Sequence, residues 1–261
     1  MPAFTTQTFP KSRLATIDIL AVGRQKHHIA ALLEIDVSAA REKISALHTG
    51  GTDLSFTAWI VSVIGLTIQH HPQVAAFRRG KRGAVLFEHI DVSVLVEKEI
   101  GGRVVPLPLV VERANERSVE SISRQIRDAR EQAASGQDIA LQRKSTPLER
   151  LYYYLPGFLR RWFWRYLLSH PRLAFGKMGN VAVTSVGMLG RARGWFIPVG
   201  VHPVCFGISG ISKKPVAIDN RVEIREILNL TVLLDHDVVD GAPMARFIGE
   251  LSDHMERAAG L

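Results

Sequence analysis

Cysteine is nearly absent: Cys205 stands alone in 261 residues. An intrachain disulfide is therefore excluded, and so is a cysteine-rich zinc site. Long apolar runs are missing too. The longest, Thr57 to Ile68, is well short of the about 20 residues needed to cross a bilayer. The stretch from Met1 to Arg13 has no apolar segment of signal-peptide length, so secretion is not indicated and a cytoplasmic setting is expected. No zinc-finger spacing, basic leucine zipper or aromatic RNA-binding signature occurs, so the net charge of +8 does not point to nucleic acid. With 46% hydrophobic and 22% charged residues and no repeat or low-complexity linker, the chain reads as one globular domain over 1–261.

Aromatic residues make up only 7% of the chain, and their distribution is uneven. The window Thr146–Asn180 holds all four tyrosines (Tyr152, Tyr153, Tyr154, Tyr166) and two of the four tryptophans (Trp162, Trp164). The same window carries Arg150, Arg160, Arg161, Arg165, Arg172 and Lys177 against Glu149 alone, which is +5 of the +8. Three roles suit this mixture. It can be a helical lid packed on the domain or a neighbouring subunit. It can be an interfacial membrane anchor over about 150–175. It can be a docking site for an acidic carrier protein.

Elsewhere strands and helices interleave. Ile29–Val37 reads as a strand, Ser38 opens a helix ending at Gly50-Gly51, and Ser55 opens an almost wholly apolar helix ended by Pro72. Ala84–Phe87, Ile90–Val96 and Arg103–Val111 are strand-like. Ser118 opens an amphipathic helix reaching Gly136, with Val119, Ile122 and Ile126 on one face. Val181–Val186, Val204–Ile211, Val216–Ile218 and Leu228–Leu234 are further apolar strands, with a glycine loop Gly187–Gly190 between the first two. A last helix starts near Pro243. Residues 1–13 are expected to be an irregular arm. The alternation implies an α/β fold.

The chemistry concentrates where the last strand runs out: Asp235-His236-Asp237-Val238-Val239-Asp240-Gly241. A strand end holds a side chain more rigidly than a loop tip, and an imidazole there can accept a proton near neutral pH. Asp240 can orient the turn by pairing with a cation or with backbone N–H groups. Other histidines are less suggestive. The adjacent pairs His27-His28 and His70-His71 do not have the spacing of a metal site, and no metal is expected. Cys205 lies in an apolar strand and suits a small core position.

This terminal segment resembles the His-x-x-x-Asp-Gly motif of the 2-oxo acid dehydrogenase acyltransferase catalytic domain, which shares its fold with chloramphenicol acetyltransferase. Val181-Ala-Val-Thr-Ser-Val-Gly-Met-Leu-Gly190, Asp91-Val-Ser-Val-Leu-Val continuing to Arg103-Val-Val-Pro106, Pro10-Lys-Ser-Arg13 and His28 through Val37 are similar to further family segments in collinear order. The resemblance implies a two-layer α/β sandwich with a mixed sheet and packed helices. It also implies transfer of an acyl group between a coenzyme A thioester and a dihydrolipoyl-type thiol. His236 takes the role of general base, Thr184 that of oxyanion donor with Ser185 as its rival, and Asp240 with Arg13 that of an orienting pair. His28 matches a position near the substrate channel. A homotrimer with each site between subunits, or a larger assembly of trimers, is implied as well.

Three departures accompany the resemblance. The chain opens almost directly at the catalytic domain, so lipoyl groups are expected only in trans, on another protein. Asp237 stands where an arginine is common, reversing a charge beside the histidine. The window 146–180 is an insertion, and the carrier it can dock would be a lipoyl or acyl carrier protein. An acyltransferase using a hydroxyl or amine acceptor, and a trimeric scaffold without turnover, are the alternatives these departures raise.

Overall fold

β-Branched and aliphatic residues dominate six segments, and these pair into one mixed sheet. They are β1 (His28–Asp36), β4 (Val92–Ile100), β5 (Arg103–Val111), β6 (Val181–Ser185), β7 (Val204–Ile218) and β8 (Arg221–Asp235), in the spatial order β1-β8-β7-β6-β4-β5. β6 runs parallel to both β7 and β4, and the other pairings are antiparallel. A two-stranded ribbon, β2 (Phe77–Arg79) with β3 (Gly83–Val85), stands apart. The computed structural model describes residues 2–6, 12–100, 103–131, 151–186 and 194–261. The expected helix end at Gly136, Pro10, Lys11, Gly187, Gly190 and the first residues of the aromatic window (146–150) lie outside them.

Period-two alternation decides what each sheet face does. Val181 and Val183, then Val204, Phe206 and Ile208, then Leu228, Leu230, Val232 and Leu234 all point into one core. That core is closed by the helices α2 (Ser38–Thr49), α3 (Phe56–His70), α4 (Val119–Glu131) and α7 (Gly241–Glu256), which contribute Ile44, Trp59, Ile64, Ile122, Ile126, Phe247 and Leu251. α3 is buried nearly all round, as its composition requires. The opposite face carries Ala182, Thr184, Cys205, Gly207, Thr231 and Asp235. There the segment 194–203 lies across β7 and β8. Thr231 Oγ1 donates to the carbonyl of Phe196 at 2.8 Å, and a Cβ on Gly207 would meet that same carbonyl at 3.1 Å. Glycine at 207 lets the covering segment approach.

Several sequence expectations need correction. The amino-terminal arm is not irregular throughout, because α1 (Ser12–Gly23) begins inside it. Val204–Ile211 and Val216–Ile218 are one strand, β7, which continues through Lys213 and Lys214 because those residues pair with β8. Its hairpin closes at Asp219 and Asn220, both at positive φ, the geometry of a tight primed turn. Ser38 and Ser55 stand at helix starts but accept no capping bond there. Ser38 Oγ instead accepts the Glu226 N–H at 2.8 Å.

The basic and aromatic window contains two helices, α5 (Gly157–Ser169) and α6 (Pro171–Met178). The inner side of α5 packs on α1. Asp18, buried, accepts from Tyr152 Oη at 2.9 Å and Arg160 Nε at 2.6 Å, and Trp164 Nε1 donates to Tyr152 Oη at 2.9 Å. On α6, Phe175 stacks on Phe87 with ring centroids 4.0 Å apart. Gly179 then leads into β6 at a φ of 72°, with a Cβ there only 2.3 Å from the Asp91 carbonyl, so no other residue fits. The Asp91 N–H donates to Asn180 Oδ1 at 3.0 Å, and the Asp91 carbonyl accepts from Asn180 and Val181. These bonds tie the start of β6, and so the register of Thr184, to β4.

Candidate active site

β8 ends on Asp235, and the way it is anchored places His236. The Asp235 side chain is 1% exposed and accepts from Lys26 Nζ at 2.6 Å. Its other carboxylate oxygen accepts the Asp237 N–H at 3.2 Å, and its backbone N–H donates to the Pro203 carbonyl at 3.0 Å. The His236 N–H donates to the His27 carbonyl at 3.0 Å. The backbone of the motif is thus pinned on both sides, while the His236 imidazole is exposed and makes no hydrogen bond or ion pair among the described residues. An exposed, unengaged imidazole on a fixed backbone is free to meet a substrate proton.

A second polar layer lies behind it. His28 stands directly across from Asp235 in the β1–β8 pairing, and its Nε2 donates to the His202 carbonyl at 2.9 Å. His202 Nε2 in turn donates to the Met178 carbonyl at 2.9 Å, at the end of α6. Burial lowers the pKa of His28, and it pushes His202 down to about 4, so His202 is neutral at ordinary pH. Burial also pushes the Cys205 thiol up to about 12, which leaves it unreactive. Lys26 and His202 escaped the sequence reading. No motif marks a lone lysine in a loop or a lone histidine before a proline, and only the fold brings them together.

Asp237 does not present a bare negative charge. His27 Nδ1 lies 2.9 Å from Oδ1 and Arg78 donates to Oδ2 at 2.8 Å, and these partners, His27 first, hold its carboxyl below the usual range. The charge reversal read in the sequence is met by Arg78, from β2. Asp240 is the N-cap of α7, exposed, with no capping bond from its side chain; its carbonyl accepts the Met244 N–H at 3.2 Å. Within the chain its carboxylate has no ion-pair partner among the described residues, Arg13 included. Arg13 is exposed on the first turn of α1.

Thr184 and Ser185 take opposite sides of β6. Thr184 shares the face of Gly207, Thr231 and Asp235, whereas Ser185 points with Val181 and Val183 toward the helices. The register aligns Thr184 with Gly207 and Gly207 with Thr231. His236 lies five residues beyond Thr231 along β8. At about 3.3 Å per residue and about 4.8 Å per strand, Thr184 and His236 of one chain are separated by roughly 19 Å. Elsewhere, His70 and His71 converge on Glu250 at 2.5 and 2.7 Å, and no group of three or more candidate metal ligands occurs among the described residues.

Comparison with known proteins agrees with this architecture. The family model for 2-oxoacid dehydrogenases acyltransferase (catalytic domain) matches residues 4–141 and 176–261. The chain belongs to that family. It is 24% identical over 249 residues to the dihydrolipoyllysine-residue acetyltransferase component of the pyruvate dehydrogenase complex of Staphylococcus aureus, covering 91% of this chain and 48% of that protein. The chain therefore spans about half the length of the curated relatives it matches. Among solved structures it is similar to a probable dihydrolipoamide acetyltransferase of Listeria monocytogenes, with a TM-score of 0.69 at 19% identity over 98% and 95% of the two chains. It is also similar to the dihydrolipoamide acetyltransferase of Azotobacter vinelandii, with a TM-score of 0.67 at 15% identity over 98% and 96%. That work concerned the role of a serine, a histidine and an asparagine in its catalytic mechanism. Chloramphenicol acetyltransferase matches with a TM-score of 0.52 at 11% identity over 95% and 96%. The fold is the α/β sandwich of these acyltransferases.

Proposed function

We propose that the chain is an acyltransferase that moves an acyl group between a coenzyme A thioester and a dihydrolipoyl-type thiol, with its site completed between two copies. The observation that carries this reading is the spacing and placement of three side chains. Thr184, His236 and Asp240 are separated by 52 and then four positions, and the serine, histidine and asparagine studied in the Azotobacter vinelandii enzyme have the same separations. Here a threonine and an aspartate replace the first and the last.

In this mechanism the thiol proton passes to a ring nitrogen of His236 as the sulfur attacks the thioester carbonyl. Negative charge develops on the carbonyl oxygen, and the Thr184 hydroxyl donates to it. One preorganised donor of this kind is worth roughly 3–4 kcal/mol. The tetrahedral intermediate collapses, the carbon–sulfur bond to the leaving thiol breaks, and that sulfur recovers the proton from His236. No acyl-enzyme forms, and neither coenzyme A nor the lipoyl group is held covalently. The roughly 19 Å between Thr184 and His236 is too long for both to act on one carbonyl within a single chain. A trimer, in which His236 of one copy faces Thr184 of the next, supplies the missing half. In this reading Asp240 and Arg13 form an orienting pair across the same boundary. The lipoyl group arrives on a partner protein in a cytoplasmic setting.

The test is formation of S-acetyldihydrolipoamide together with coenzyme A from acetyl-CoA and dihydrolipoamide, each product separated by chromatography. Turnover by the wild-type protein that His236→Ala removes is the expected result. Equal rates in the two proteins overturn the reading in favour of a scaffold.

A further inference from the structure

We propose that the outward face of α5 docks the protein on an anionic lipid surface. α5 is two-sided, and its orientation is fixed. Arg160 and Trp164, bonded through Asp18 and Tyr152, hold one side against α1, and Leu167 is buried on that side. At about 100° per residue, Phe158, Leu159, Trp162, Phe163 and Tyr166 then fall in a single outward arc. The structure leaves that arc bare: Phe158, Trp162 and Tyr166 are 65%, 61% and 44% exposed. Trp162 and Tyr166 stack with centroids 5.6 Å apart. An exposed apolar surface of this kind marks a binding site.

Charge selects the occupant. Arg161 and Arg165 border the arc on α5, Arg172 and Lys177 follow on α6, all four exposed, and no aspartate or glutamate occurs from 150 to 178. Tryptophan and tyrosine prefer the headgroup level of a bilayer, where arginine meets lipid phosphate. α5 has 13 residues, about 20 Å in length, which suits a helix lying along a membrane surface. Among the described residues no helix is long and apolar enough to cross a membrane. A second copy of the chain is a weaker occupant. The family model matches 4–141 and 176–261 and leaves α5 out, so an interface common to the family does not need it. The binding is independent of turnover and stands apart from the acyltransferase reading.

Vesicle sedimentation tests it on the full chain. Wild-type protein is expected to sediment with phosphatidylcholine vesicles containing phosphatidylglycerol, and at least about tenfold less with phosphatidylcholine alone. Paired variants Phe158→Ser with Trp162→Ser, and Arg165→Glu with Arg172→Glu, are expected to lose at least about tenfold while keeping the wild-type mass and melting temperature. Brominated lipid is expected to quench tryptophan fluorescence in the wild type and not in Trp162→Phe, a readout that does not depend on the paired variants folding. Wild-type protein that ignores the anionic vesicles overturns the proposal. So does equal binding by all variants, or a change of oligomeric mass in the aromatic pair, which would assign the face to a second copy.

Discussion

Thr184 is level with Thr231 in the sheet, two strands away, and His236 lies five residues further along β8. Within one chain the base and the oxyanion donor of the proposed reaction thus lie too far apart along the sheet to share a reaction centre. Hydrogen-bond register makes this separation rigid, since a strand cannot slide without moving every side chain to the wrong face.

The separation predicts complementation. Chains carrying His236→Ala and chains carrying Thr184→Ala are each expected to be inactive as pure assemblies. Co-expressed with different tags and isolated as mixed assemblies, they are expected to recover a clear fraction of wild-type turnover. Mixed assemblies no more active than the parents would place both groups in one chain's site.

His236→Ala alone is expected to lower kcat by roughly 10²–10⁴-fold. The side chain is exposed and only its backbone is bonded, so the melting temperature should not move. Thr184→Ala is expected to cost roughly a hundredfold in kcat, with Thr184→Ser retaining most activity. A Ser185→Ala variant as damaged as Thr184→Ala would reassign the donor.

Lys26→Met leaves the buried Asp235 carboxylate without its cation. The expected loss of stability is about 3 kcal/mol, measured by urea unfolding. Asp235→Asn combined with Lys26→Met should recover part of that loss, because no charge remains to be buried. Additive losses would show that Lys26 acts elsewhere.

Stability should fall in acid because of His202. Its folded pKa is about 4 against 6.5 for the free group, so the unfolded chain takes up a proton that the folded one refuses. Stability is therefore complete above about pH 6.5 and is lost as pH falls toward about 4, by about 3 kcal/mol. His28, lowered by burial, adds in the same direction. His202→Gln, which keeps a donor for the Met178 carbonyl, should flatten this slope in urea titrations between about pH 7 and about pH 4.5.

The strands and helices were legible because their signals are local. Apolar runs announced β5 and the second half of β8, and the stripe of Val119, Ile122 and Ile126 announced α4. β7 was legible only in pieces, since Lys213 and Lys214 break its apolar pattern and the pairing with β8 overrides them. α1 lacks an acidic first turn or a clear apolar stripe, and its helix is held by what α5 packs against it.

The amino-acid order by itself pointed to the family, most of the sheet-forming segments, and a histidine and a hydroxyl set 52 positions apart as candidates, because motifs and periodicity are properties of neighbours along the chain. Tertiary structure alone decided that Lys26 clamps Asp235, that Arg78 and His27 meet Asp237, that Ser185 turns toward the helices while Thr184 shares the face of Gly207 and Thr231, and that the α5 aromatics look outward. Each of those depends on strand register or helix facing, which long-range packing sets and which no spacing in the sequence records.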